Sequence, residues 1–274
     1  MSASQITPPG APRKVLVANR GEIAARICRS VFDCGWGSVA VVAKGESRLG
    51  HAARADEAVE LPGAGAAAYL DASALVEAAL RSGCDMVHPG YGFLSEAPDF
   101  AEACRDAGLI FVGPSAQTLA LFGDKSRARA VAAACEASPP PGGGVLADVA
   151  ALVAFMAGQG GPVMLKAVSG GGGRGIRIVR DPGQAAEAFA RCRSEAETAF
   201  GDGRLYAEAL IEGARHVEVQ IAGDGTGAVA ILGDRECSLQ RQRQKLVEFA
   251  PASGLSPQLR HRLFEAARRI GAHV

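Results

Sequence analysis

The sequence carries no excess of charge of either sign: 29 basic side chains stand against 29 acidic ones, for a formal net charge of zero. That balance removes the electrostatic reason to expect nucleic acid or an anionic membrane as the main partner. No apolar run approaches the roughly 18 residues that a membrane span needs. Residues 1–12 lack the basic start and apolar stretch of a secretory signal, and they read as a loose tail. The cysteines Cys28, Cys34, Cys84, Cys104, Cys135, Cys192 and Cys237 are odd in number, and none forms a CxxC pair. A disulfide framework or a zinc site is therefore not expected, and reduced thiols in a cytoplasmic protein fit the pattern. Two phosphate-binding signatures are also missing, GxxxxGK[ST] and a GxGxxG after the first strand. Their absence argues against a P-loop NTPase and an ordinary dinucleotide fold.

What is present is a rhythm. Residues 14–18 (KVLVA) are a short apolar run, and a helix then sets Ile23, Ile27 and Val31 on one face. Residues 38–43 read as a second buried strand. Ser73 is placed to cap a helix through Leu75, Val76 and Leu80, and Met86 and Val87 form the next strand. A helix over 100–107 leads to a strand over 109–112. Strands alternating with helices imply a parallel sheet with helices on both faces.

Residues 138–144 (SPPPGGG) look like a linker, stiffened by proline on one side and freed by glycine on the other. Beyond them come a helix over 149–156, strands over 162–167, 176–179 and 205–208, and a long helix over 182–200. Residues 216–221 alternate strictly, with His216, Glu218 and Gln220 on one side and Val217, Val219 and Ile221 on the other. Residues 228–232 are expected to pair with them, and 257–273 form a last amphipathic helix.

The most distinctive segment is 166–175 (KAVSGGGGRG), between two strands. Residues without side chains let backbone N–H groups approach a polyphosphate, and Lys166 adds a point charge at the strand end. A glycine run alone is equally a hairpin tip. Lys125 begins a helix, where a cation gains nothing from the helix dipole, and in isolation it reads as a solvated lysine. Residues 240–245 (QRQRQK) are either an anion-binding segment or a solvated charged loop.

Six segments in order give these residues a common context. Residues 14–24 (KVLVANRGEIA), 88–96 (HPGYGFLSE), 111–115 (FVGPS) followed by 123–125 (GDK), the glycine loop, 215–220 (RHVEVQ) and 237–241 (CSLQR) together resemble the biotin carboxylase family of ATP-grasp ligases. The resemblance covers essentially the whole chain after the tail. It implies an α/β fold: a tail over 1–12, a Rossmann-like parallel-sheet domain over 13–122, and an incomplete ATP-grasp domain over 123–274 with a lid at about 145–207. It also implies that Lys125 and Lys166 contact ATP phosphates and that Gly172 and Gly173 close over them. Glu208, Ala209, Leu210 and Ile211 would hold the adenine through backbone groups, His216 and Arg243 would contact nucleotide, and Lys245 would hold bicarbonate. The implied reaction is phosphorylation of bicarbonate by ATP with Mg2+, then transfer of CO2 to biotin. The implied partners are bicarbonate, biotin on a carrier domain, a carboxyltransferase component and a second copy in a homodimer; neither nucleic acid nor membrane is among them. The final acceptor, an acyl-CoA or pyruvate among others, belongs to the carboxyltransferase.

Two other readings stand beside this one: another ATP-grasp ligase, such as a carbamoyl-phosphate synthetase half, and a nucleotide-binding fragment without catalysis. Segments 88–96 and 237–241 argue against the former. The chain departs from the family at Arg243, where histidine is usual, in the 138–144 segment, and in stopping at Val274. The family places its metal-binding carboxylates and catalytic residues beyond that point, so no metal ligand or catalytic residue is assigned within these residues. The polypeptide alone is expected not to turn over, which biotin-dependent ADP release in a coupled assay would refute.

Overall fold

A computed structural model of the chain describes residues 13–46, 50–169, 175–241 and 244–274. The expected tail over 1–12 lies outside the described residues. The chain divides after Ala120 into two compact units, each built by its own hydrophobic pattern.

In the first unit, β1 (Lys14–Val17) leads into α1 (Gly21–Asp33). Then come β2 (Gly37–Val42), β3 (Glu57–Glu60), α2 (Gly65–Ala68), α3 (Ala72–Arg81), β4 (Met86–His88), α4 (Pro98–Asp106) and β5 (Ile110–Phe111). The strands make one parallel sheet in the order β3-β2-β1-β4-β5. Because successive strand side chains point to opposite faces, β1 feeds two cores. Val15 and Val17 pack with Ala24, Ile27, Cys28 and Val31 of α1. Leu16 packs on the other face with Val39, Val41 and Val87, and with Leu75, Ala78, Phe100 and Cys104 of α3 and α4. The expected sandwich of helices on a parallel sheet is what forms. Ser73 does not cap α3: it lies inside the helix, and the Asp71 carboxylate accepts the Ala74 N–H at 2.9 Å instead. β3 has an exposed, charged pattern that no apolar periodicity marks.

A strand order that runs outward both ways from β1 leaves a crevice at the carboxyl ends of β1 and β4. Two of the motif segments meet there. Asn19 is buried, and its side-chain amide donates to the carbonyls of Pro89 (2.7 Å) and Tyr91 (2.8 Å). Gly90 has φ +65°, and a Cβ on it would lie 2.8 Å from the Asn19 amide nitrogen, so this contact requires glycine. Arg20 lies over the rings of Tyr69 (5.3 Å) and Phe93 (5.5 Å).

The boundary falls in α5 (Ala116–Gly123). In the second unit follow α6 (Lys125–Ala134), β6 (Gly142–Val145), α7 (Val149–Gln159), β7 (Val163–Ala167), β8 (Ile176–Val179), α8 (Ala185–Phe200), β9 (Leu205–Ala209), β10 (Val217–Gly223), β11 (Val229–Arg241), β12 (Gln244–Phe249) and α9 (Pro257–His273). Two antiparallel sheets result, β6-β9-β7-β8 and β10-β11-β12. On the first sheet Leu165, Ala167, Leu205 and Ala207 face a core with Leu152 and Met156 of α7 and Phe189, Cys192 and Ala196 of α8. The predicted pairing of 228–232 with 216–221 is seen between β10 and β11. The 138–144 segment is not simply a linker. Gly142 begins the edge strand β6 and approaches β9 so closely that a Cβ on it would lie 2.3 Å from the Ala207 carbonyl oxygen. Its glycine serves close approach rather than chain freedom. Among the described residues no helix is long and apolar enough to cross a membrane, and all seven cysteines are free thiols.

Candidate functional site: a lysine–carboxylate cluster and a second charged sheet

Sheet periodicity determines which side chains meet. With Leu165, Ala167, Leu205 and Ala207 committed to the core, Lys166 and Glu208 must emerge on the opposite face. The register pairs Met164 with Glu208 and Lys166 with Tyr206, so Lys166 and Glu208 are diagonal neighbours within side-chain reach. The Lys166 ammonium forms an ion pair with Glu208 Oε1. Glu208 Oε2 accepts from Arg129 Nη1 at 3.1 Å, and only 9% of Glu208 is exposed. Burial and the nearby Glu208 charge raise the Tyr206 hydroxyl well above the usual phenol range.

The Gly-Asp-Lys segment meets the carboxyl end of β7, just beyond Lys166. Asp124 forms an antiparallel bridge with Ser169, and the Lys125 N–H donates to the Val168 carbonyl at 3.3 Å. Asp124 also caps α6, accepting from the N–H groups of Ser126 (2.9 Å) and Arg127 (3.0 Å). The described residues on either side of the glycine segment, Ser169 and Gly175, are held by hydrogen bonds. Ser169 donates to Asp202 at 2.6 Å, and the Gly175 carbonyl accepts from the Ala167 N–H at 2.8 Å and the Cys192 thiol at 3.0 Å. Hydrogen bonds from Arg204 and Ser169 hold the Asp202 carboxyl far below the ordinary carboxylate range. Gly172 and Gly173, assigned to the lid, lie outside the described residues, as does Arg243.

At the end of β9, the Ala209 N–H donates to Pro141 (2.9 Å) and the Leu210 N–H to Pro162 (3.1 Å). The Ile211 side chain is largely exposed. The structure thus sets Lys166 and Glu208 on one face of the sheet, with the Lys125 main chain at the carboxyl end of β7 and 209–211 leaving from the opposite end, beside Val163.

His216 directly precedes β10 and Lys245 lies in β12 of the three-stranded sheet. Register sets Glu218 opposite Arg235 and Gln240 opposite Lys245. Glu218 is the hub: Lys245 reaches its Oε2 at 2.6 Å, Arg235 pairs with its Oε1, and His216 Nε2 lies 3.7 Å away. The His216 Nδ1 contacts the Gln240 amide at 2.8 Å. The hydrogen bond to Glu218 raises the Lys245 pKa above the ordinary value, so this amine stays cationic at neutral pH.

Glu218, Cys237 and Glu248 bring ligand atoms within 4.8 Å of one another. Arg235 and Lys245 already pair with both carboxylates, a set better suited to presenting cations than to holding one. Magnesium fares no better near Lys166. Glu208 is shared by two cations, Asp124 caps a helix and Asp202 is tied to Arg204. Among the described residues each of these carboxylates is already engaged by a cation or a helix N-terminus, which disfavours an octahedral magnesium site built on them alone.

Sequence reasoning missed Arg129 and the central place of Glu218. Both had signals. Arg129 stands four residues after Lys125 on α6, the spacing that shares a helix face. Glu218 lies between His216 and Gln220 on the alternating polar side.

Cations on an antiparallel sheet, next to the residues that flank a glycine-rich segment and following in sequence a doubly wound parallel sheet, fit an ATP-binding α/β protein. Comparison with known proteins makes that specific. Residues 11–119 match the biotin carboxylase N-terminal domain, and residues 124–274 match the carbamoyl-phosphate synthase L chain ATP-binding domain. The chain belongs to the biotin carboxylase family. It is 45% identical to pyruvate carboxylase of Bacillus subtilis over 96% of its length, covering 23% of that enzyme. It is 44% identical to the biotin-dependent acyl-coenzyme A carboxylase alpha3 subunit of Mycobacterium leprae over 94% of its length, covering 43% of that subunit. The biotin carboxylase–β,γ-ATP complex from Campylobacter jejuni superposes with a TM-score of 0.92 at 38% identity, over 96% of this chain and 59% of that one. The chain thus spans about a quarter of the pyruvate carboxylase it matches, and the antiparallel ATP-grasp architecture is that of its structural neighbours.

Proposed function

We propose that the chain carries the ATP-binding part of a biotin carboxylase, the component that activates bicarbonate with ATP and carboxylates biotin. The observation that carries this reading is the bridge between Asp124 and Ser169. It joins two separate lysine segments at the base of one glycine loop, the arrangement a polyphosphate needs. Lys125 and Lys166 hold the phosphates, Gly172 and Gly173 cover them, and the main chain of Glu208, Ala209, Leu210 and Ile211 receives the purine. His216 and Arg243 contact the nucleotide. Lys245, kept cationic by Glu218, holds bicarbonate. Carboxyphosphate hydrolyses readily in water, so a covering loop that excludes solvent favours transfer to biotin over loss. The partners that fit are bicarbonate, biotin on a carrier domain, a carboxyltransferase and a second copy of the chain. Seven unpaired thiols suit a cytoplasmic setting.

Titrating ATP into the wild-type chain and into Lys166→Ala tests this. Saturable binding that Lys166→Ala weakens by roughly a hundredfold is expected, in line with removal of a directly paired charge at about 2–3 kcal/mol. Identical isotherms would remove the nucleotide role.

A further inference from the structure

The pair Lys166–Glu208 poses an electrostatic problem for the nucleotide reading on which this inference rests. A lysine in contact with a carboxylate presents a dipole to an approaching polyphosphate, not a charge. Were Lys166 to leave for a phosphate, Glu208 would be stranded as a buried carboxylate with no partner, a heavy penalty at 9% exposure. Arg129 resolves both difficulties. Its Nη1 holds Glu208 Oε2 at 3.1 Å, while its Nη2 donates to the carbonyls of Pro140 and Gly142, the latter at 3.0 Å. Both terminal nitrogens are therefore committed inside the protein. The Arg129 Nε is buried without a protein partner among the described residues.

We propose that Arg129 is a positioning residue of the nucleotide site: it sequesters Glu208, so that Lys166 is released to a polyphosphate and the three-residue cluster keeps one net positive charge. Arg129 does this from α6, the helix that Lys125 begins, and through the edge strand β6. The helix with the first lysine thereby governs the electrostatics of the second. The ligand feature recognised through this device is the polyphosphate, not the nucleoside.

The experiment measures ADP and adenosine affinities separately by calorimetry for the 274-residue chain and three variants. Arg129→Met is expected to weaken ADP by roughly tenfold or more, one uncompensated charge at an effective dielectric near 20, while adenosine changes less than about threefold. Adding Glu208→Gln to Arg129→Met removes the carboxylate that traps Lys166 and should restore ADP to within about threefold of wild type. Glu208→Gln alone should bind ADP at least as tightly as wild type, which keeps the test intact if Arg129→Met does not fold. Equal losses for ADP and adenosine with no rescue in the double variant would make Arg129 a structural pin and overturn the proposal. So would a Glu208→Gln variant that loses ADP as severely as Lys166→Ala. Failure of the wild-type chain to bind ADP at all would instead strike the nucleotide reading itself.

Discussion

The two units bury polar groups in opposite ways. In the first, the buried polar residues among those described are Asn19, Ser38 and His51, and in the second they are Glu208, Asp234 and Glu236. In the first set backbone carbonyls meet Asn19 (Pro89 and Tyr91) and His51 Nε2 (Val41, at 3.0 Å), and Ser38 donates to the Asp56 carboxylate at 2.8 Å. Each buried carboxylate of the second unit instead faces a cation: Glu208 with Lys166 and Arg129, Asp234 with Arg260 at 2.6 Å, Glu236 with Arg215. The first unit is held by packing on both faces of a parallel sheet. The second has two antiparallel sheets, each with a polar side, and its interior charges are matched pair by pair. A unit that handles anions needs cations, and buried or half-buried cations need carboxylates that position them without cancelling them.

That contrast breaks most visibly under substitution. Phe100 is 1% exposed and meets Phe111 edge-on at 5.8 Å between ring centroids. Phe100→Ala should cost about 3–5 kcal/mol in denaturant unfolding, with no second substitution that restores it by charge. Arg260→Met leaves Asp234 buried and unpaired and should cost about 3 kcal/mol. Here Asp234→Leu in the same chain should recover at least half, because removing both charges removes the desolvation problem. If the double variant is as unstable as the single one, charge matching is not what holds α9 to β11.

Acid separates the units next. His88, at the end of β4, accepts the Gly90 N–H at 3.1 Å on Nδ1, and burial lowers its pKa from the ordinary 6.5. The unfolded chain then binds a proton that the folded one refuses. The stability of the first unit should fall as pH drops below about 6.5 and level off once pH passes the lowered folded value. Asp234 of the second unit has its carboxyl lowered, the bonds from Arg260 and Ala252 overcoming the burial that opposes them. Its contribution should be full above the ordinary 3.8 and be lost only below that. Hydrogen exchange from pH 7 to 4 should show residues around His88 losing protection before those around Asp234. The smallest effect should not discriminate at all: Asp71→Ala and Asp148→Ala each remove a helix cap, at 2.9 and 2.8 Å, and each should cost about 1 kcal/mol.

Much of this was legible in the sequence because it follows from period and chain order. The 14–18 and 38–43 apolar runs, with α1 between them, fixed a parallel sheet covered on both faces. The strict alternation over 216–221 foretold β10 and the shared side of His216 and Glu218. β3 was hidden because an edge strand of sequence EAVE has nothing apolar to alternate. β6 was hidden because Gly142 is selected by contact with Ala207, which only the folded sheet creates. Ser73 misled because two capping residues stood two positions apart and the local geometry chose Asp71. The Lys166–Glu208 pair was out of reach of the sequence alone: it depends on the register between β7 and β9, set by two separate segments.

The most direct test of the account is a crystal structure of the chain with ADP. The terminal phosphate should lie against the Lys166 ammonium, with Glu208 retained by Arg129 and the purine against the main chain of 208–211. Nucleotide bound elsewhere, or Lys166 still paired to Glu208 beside an occupied site, would contradict it.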